Sequence, residues 1–128
     1  MILPDANLLI AFTWDGHENY PEAEALFAKY PKVATCPITE LAMVRVWMQK
    51  GATAIEADKA LKDFVSKHRS KLIADTLSAT EIAGFNTGHR QTTGTYLAKL
   101  AAAHGLKLIT LDVELADRLP ELVELWHG

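Results

Sequence analysis

The sequence predicts an α/β fold: a single domain over residues 1–128, with a mostly parallel sheet flanked by helices on both faces. Three observations carry that prediction. Short apolar runs that read as strands alternate with segments of helical period along the whole chain. The strand runs are apolar at nearly every position, as expected where both faces of a sheet are covered. A chain of 128 residues, 49% hydrophobic and 23% charged, has the size and balance of one globular domain that needs no staples.

The elements follow in order. Ile2-Leu3 opens a short strand that stops at Pro4-Asp5, and residues 8–12 run on as a helix broken at Trp14-Asp15-Gly16-His17. Ala23, Leu26, Phe27 and Tyr30 fall at i, i+3, i+4 and i+7, one face of a helix that Pro31 ends. Residues 33–36 read as a buried strand. Pro37 suits the first helical position, because its missing N–H would have no partner there. Residues 41–48 are apolar almost throughout except Arg45, which predicts a helix that is buried or lies in an interface; Gly51 suits its C-terminal cap. Ala57, Ala60, Leu61, Phe64 and Val65 mark another amphipathic helix. Lys71-Leu72-Ile73 reads as a short strand, residues 78–83 as one or two helical turns, and 84–88 as a loop. Thr92 or Thr93 is placed to cap a helix carrying Tyr96, Leu97, Leu100, Ala101 and Ala103, closed by His104-Gly105. Residues 106–111 form the strongest strand, stopped by Asp112. A helical turn over 114–119, the break at Pro120 and a short edge strand over 122–125 complete the chain.

Composition excludes several classes of function. Cys36 is alone, so neither a disulfide framework nor a cysteine-based zinc site is available; it suits a reducing compartment and reads as buried and inert. No apolar run approaches the ~20 residues of a membrane span. Met1 leads directly into Ile2-Leu3-Pro4-Asp5 rather than into a signal peptide, so a cytoplasmic location is expected. The net charge of −3 is not the footprint of a protein that coats nucleic acid, so any contact with RNA or DNA is a local one. Gly84, Gly88 and Gly94 have neither dinucleotide-fold nor P-loop spacing, and the histidines lack zinc-ligand spacing.

Parallel sheets bind ligands beyond the carboxyl ends of their strands, where strand order reverses. Asp5 ends the first strand, Glu40 lies just past the second in the first turn of its helix, and Asp112 ends the late strand. Each has a simpler reading alone: a cap or loop residue for Asp5, a complement to the helix macrodipole for Glu40 and a turn residue for Asp112. Their shared position after strands points instead to one acidic site. Gathered carboxylates need a compensating cation, and Mg²⁺ takes a few carboxylates plus waters. Such an ion orients and acidifies water and offsets charge building on a phosphate. Asn7 reads either as a helix N-cap or as an amide that orients Asp5 or a ligand. Arg90 reads as a contact to RNA phosphate or as part of a solvated loop. The basic run Lys67-His68-Arg69-Ser70-Lys71 complements a helix C-terminus or steers phosphate.

Four segments in register carry a resemblance. Met1-Ile-Leu-Pro-Asp-Ala-Asn-Leu-Leu-Ile-Ala, Pro37-Ile38-Thr39-Glu40 with Arg45, the stretch from Gly88-His89-Arg90 through Tyr96 to Ala101, and Leu108-Ile-Thr-Leu-Asp112 resemble the motifs of PIN domains of the VapC toxin type. The resemblance covers nearly the whole chain. It implies a five-stranded parallel sheet and a metal-dependent endoribonuclease that cleaves RNA, usually as the toxin of a toxin–antitoxin pair. It also implies a homodimer and a VapB-like antitoxin as partner. Asp5, Glu40 and Asp112 match acidic positions of the family's metal site, for Mg²⁺ with Mn²⁺ as an alternative ion. The third motif departs: Gly94 stands where its usual form has an aspartate, two residues before the aromatic Tyr96. Thr93 and Thr95 flank the gap, and the hydroxyl of Thr93 is a candidate substrate contact. Weaker metal binding is expected, with Mn²⁺ supporting activity better than Mg²⁺. The rival reading is a catalytically silent PIN fold that binds an antitoxin or RNA. Gly94 favours it and the three retained carboxylates oppose it.

Overall fold

Strand β1 (Leu3–Pro4) lies at the middle of a computed structural model that describes residues 1–85 and 88–127. β1 pairs in parallel with β4 (Leu108–Thr110), which pairs in parallel with β5 (Val123–Leu125); Leu3 stands opposite Leu108, and Leu108 opposite Val123. On the other side β2 (Ala34–Thr35) pairs in parallel with β3 (Lys71–Leu72), Ala34 opposite Lys71. The two ribbons meet where the Ala34 N–H donates to the Ile2 carbonyl at 2.9 Å. The strand order is therefore β3-β2-β1-β4-β5, and it reverses at β1. The crevice between the carboxyl ends of β1 and β4 is the switch point where open parallel sheets place their ligands.

Helices cover both faces. Helices α1 (Ala6–Thr13), α2 (Tyr20–Lys29), α3 (Pro37–Gln49) and α4 (Ala54–Lys67) contribute Leu8, Leu26, Met43 and Phe64 to one core, which Ile2 and Ile109 complete from the sheet. Helices α5 (Thr92–Ala103) and α6 (Val113–Arg118) contribute Leu97, Leu100 and Leu115 to the other, against Leu3, Leu108 and Val123. Successive residues Ile2 and Leu3, like Leu108 and Ile109, enter opposite cores, because side chains alternate across a strand. This is why the strands read as unbroken apolar runs.

Local chemistry sets the boundaries. Thr53 and Glu56 form a reciprocal capping box at the start of α4: the Glu56 N–H donates to Thr53 Oγ1 at 3.1 Å, and the Thr53 N–H to Glu56 Oε1 at 2.8 Å. Gly51 and Gly105 take φ of +105° and +72° just past α3 and α5, a left-handed backbone that only glycine adopts without strain. Residues 79–85 form a 3-10 helix, so Gly84 belongs to it rather than to a loop, while residues 86 and 87 of the expected loop lie outside the described residues.

Two expectations about helix caps need correction. Asp5, not Asn7, caps α1; Asn7 sits inside the helix. Thr92 and Thr93 lie in the first turn of α5, preceded by Gln91, and neither makes a side-chain cap. Helix α3 buries only Thr39 and Met43; Leu41 is 68% and Met48 46% exposed. Ile38, Val46 and Trp47 pack against the two cores, while Leu41 and Met48 are left for an interface, the second of the two readings of this helix. His68, within the basic run 67–71, is 5% exposed and packs against Phe12, Phe27 and Phe64 at ring separations of 5.3, 5.2 and 4.6 Å.

Candidate active site at the carboxyl edge of the sheet

Asp5 extends the β1–β4 ladder by one rung: its N–H donates to the Ile109 carbonyl at 2.8 Å. This fixes the carboxylate at the mouth of the switch point. Asp5 Oδ1 accepts the Ala6 N–H at 2.7 Å, and Oδ2 accepts the Thr110 hydroxyl at 2.8 Å. Thr110 is fully buried, and its Oγ1 also accepts the Asn7 side-chain amide at 3.2 Å and the Asp112 N–H at 3.1 Å. One hydroxyl thus ties together the ends of both strands and the first turn of α1. Asp112 Oδ1 in turn accepts the Leu115 N–H at 3.2 Å and caps α6.

Burial pushes the Asp5 carboxyl above the usual carboxylate range; the bonds from Thr110 and Ala6 oppose the shift, and the negative charge of Asp112 adds to it. Asn7 Oδ1 is buried and without a hydrogen-bond partner among the described residues. A desolvated carboxylate with a second beside it and an unsatisfied amide oxygen nearby is a set of hard oxygen donors short of positive charge. That set fits Mg²⁺, which is held by one or two carboxylates and keeps several waters.

Asp5 and Asp112 line one cavity of about 360 Å³ with Arg90, Thr93, Gly94, Glu114 and Arg118. The expected substrate contacts Arg90 and Thr93 are therefore placed beside both aspartates. Arg118 donates from Nη1 to the Phe85 carbonyl and from Nη2 to Thr95 Oγ1, both at 2.9 Å. That bond occupies the hydroxyl of buried Thr95 and leaves Thr93 as the threonine open to the cavity.

The structure also accounts for Gly94. A Cβ there would stand 2.9 Å from Leu115 Cδ2 and 3.2 Å from Cδ1. Leu115 fills the space that a side chain at residue 94 would need, and it is itself buried in the α5–α6 core.

Glu40 is placed elsewhere. Its Oε2 accepts the Thr35 hydroxyl at 2.8 Å, and it lines a separate, mostly apolar cavity of about 210 Å³ with Pro37, Leu41, Val44 and Leu61. Among the described residues, no three His, Cys, Asp or Glu side chains converge to hold one ion. The expected three-carboxylate cluster of Asp5, Glu40 and Asp112 is therefore not assembled here; the structure joins Asp5 with Asp112. Glu40 follows β2, which neighbours β1 on the side away from β4, and its carboxylate is engaged by Thr35 of that strand.

Sequence reasoning missed Thr110, Arg118 and Glu114. A polar residue inside an otherwise apolar strand, two positions before Asp112, was the available signal for Thr110. Glu114 and Arg118 stand four residues apart, one turn of the same helix face, behind an acidic strand end.

A single domain with a switch-point pair of aspartates in a doubly covered parallel sheet defines a class. The PIN domain family model matches residues 2–120, and the chain belongs to that family. Within it, the chain is 38% identical over 118 residues to Ribonuclease VapC29 of Mycobacterium tuberculosis (strain ATCC 25618 / H37Rv), covering 90% of this chain and 88% of that protein. It is 29% identical over 126 residues to Ribonuclease VapC39 of the same strain, covering 90% and 91% respectively. A crystal structure of VapBC2 from Rickettsia felis, bound to a DNA fragment from their promoter, contains a chain with the same fold. Its TM-score is 0.65 at 22% identity, over 99% of this chain and all of that one.

Proposed function

We propose that this chain is a metal-dependent ribonuclease of the VapC type that cuts RNA phosphodiester bonds as the toxin half of a toxin–antitoxin pair. The observation that carries the reading is the Asp5–Thr110–Asp112 assembly at the switch point of a PIN domain, in a chain 38% identical to a VapC ribonuclease. Asp5 and Asp112 would hold the ion, Mg²⁺ or Mn²⁺, with Asn7 Oδ1 available to a water beside them. When bound, the ion supplies charge to offset that building on the phosphate, and it acidifies a water. Thr110 fixes the Asp5 carboxylate and the Asp112 backbone, and Arg90, which lines the same cavity, would meet the RNA phosphate. Glu40, held by Thr35 outside this cavity, is left out of the ligand set.

The exposed apolar side chains Leu41 and Met48 of α3 and Ile55 of α4 give a protein partner something to cover. A VapB-like antitoxin or a second copy of this chain fits that role.

The test is cleavage of a mixed RNA pool by purified, antitoxin-free protein with EDTA, Mg²⁺ or Mn²⁺. Cutting is expected with either metal, faster with Mn²⁺, and none in EDTA. Asp5→Asn should lower the rate by on the order of 10²–10³-fold, the loss that follows removal of one preorganised electrostatic contact to developing charge. Absence of cutting under every metal condition would overturn the reading and leave a PIN fold that binds without cleaving.

A further inference from the structure

The cavity over Asp5 has a neighbour that shares one of its lining residues. A second cavity of about 360 Å³ lies on the other side of Asp112 and shares that residue as a wall. It is bordered by Asn7 from α1, by His17 from the α1–α2 connection and by Lys50 from the end of α3. Both cavities carry cationic side chains beside the shared Asp112: Arg90 and Arg118 line the first, and Lys50 with the imidazole of His17 the second. Each lobe carries one further acid, Glu114 and Glu18 respectively.

We infer that the Lys50–His17 lobe is a second phosphate subsite, which holds an RNA strand running across Asp112 from one lobe to the other. The inference rests on the ribonuclease reading above and extends it. A polyanion crossing a carboxylate divide is repelled at its centre, so its affinity must come from contacts on both sides; the first lobe provides them on one side only. Lys50 is exposed, and its ammonium lies 5.6 Å from the centre of the Trp14 ring, with no carboxylate bonded to it among the described residues. His17 Nδ1 accepts the Asn19 N–H at 3.0 Å. That bond puts the proton of the neutral ring on Nε2, which makes His17 a donor suited to a phosphate oxygen. A phosphate contact of this kind adds affinity without reading bases.

The experiment uses full-length protein carrying Asp5→Asn, in EDTA, so that no strand is cut. Binding of a labelled single-stranded RNA decamer is followed by fluorescence anisotropy between 50 and 200 mM salt. Adding Lys50→Gln should make the slope of log affinity against log salt shallower by about 0.7, one phosphate contact on a single strand. Across that fourfold salt range this is a reduction of about 2.5-fold in the salt-induced loss of affinity. The change should be the same for RNAs of different sequence, Lys50→Arg should restore the slope, and Lys32→Gln, ahead of β2 at the opposite edge of the sheet, should leave it unchanged. A Lys50→Gln slope equal to that of its parent, with RNA still bound and the native-site protein still cutting RNA, overturns the subsite and leaves the ribonuclease reading standing. If the Asp5→Asn parent binds no RNA and the native-site protein cuts none, both fail together.

Discussion

Asp5 and Glu40 each follow a strand of the same parallel sheet, and each accepts a hydrogen bond of 2.8 Å from a buried threonine. They nevertheless end in different surroundings. Asp5 is the cap of its helix and lies in the crevice between β1 and β4, where burial raises its proton affinity and Asp112 shares its cavity. Glu40 lies in the first turn of its helix and shares a cavity with Leu41, Val44 and Leu61. An acid that follows a strand is a candidate ligand; only an acid at the strand pair where the order reverses is placed beside a second one. The partner makes the difference: the Thr110 hydroxyl bonds both Asp5 and the Asp112 N–H, whereas the Thr35 hydroxyl bonds Glu40.

Breaking the hub of the Asp5 side should have the larger effect. Thr110→Val keeps the shape of the side chain and removes the bond to Asp5 and the acceptor for Asn7 and Asp112. Cleavage measured on the RNA pool should fall by about 10–100-fold, the span typical of groups that orient metal ligands. The melting temperature should fall too, because two donors lose a buried acceptor. The Glu40 side offers the sharper contrast. Glu40→Gln should cost less than about tenfold in the same assay, below that outer-shell span. A loss as large as that of Asp5→Asn would mean that Glu40 swings into the site when RNA or metal binds, and the separation of the two acids would no longer hold.

The smallest effect should come from the far side of the fold and should touch stability alone. Burial among Phe12, Phe27 and Phe64 lowers the proton affinity of His68, an effect that a hydrogen bond to the Pro31 carbonyl opposes and the charge of Lys67 reinforces. The unfolded chain, with a histidine pKa of about 6.5, therefore binds the proton first. The contribution is present in full above that pH and is lost as pH falls below it. Thermal melts between pH 5 and 8 should show this slope, on the order of a few degrees at most, and His68→Phe should flatten it with RNA cleavage at neutral pH unchanged.

Most of the fold is legible in the sequence because local signals and global order agree. Pro37, Gly51 and Gly105 mark helix ends by backbone chemistry alone, and the apolar runs at 2–3 and 106–111 mark the two strands that carry the site. Asp5 and Asp112 were readable for the same reason. What was not readable depends on contacts across the chain. The exposure of Leu41 and Met48 depends on which face of α3 meets α1 and α4. The burial of His68 depends on three phenylalanines from three helices. The roles of Thr110 and Thr35 depend on which acid each strand faces once the sheet has formed.

The crowding at Gly94 bears on how this sequence can change. An acid placed there would bring its Cβ to 2.9 Å from a terminal methyl of Leu115, so that side chain must shift to admit it and the two positions are expected to couple. Smaller residues at 115 are themselves costly while residue 94 is glycine, because they leave a void in the α5–α6 core. The two positions are therefore expected to vary as a pair, with a bulky side chain on α6 accompanying the bare backbone of α5.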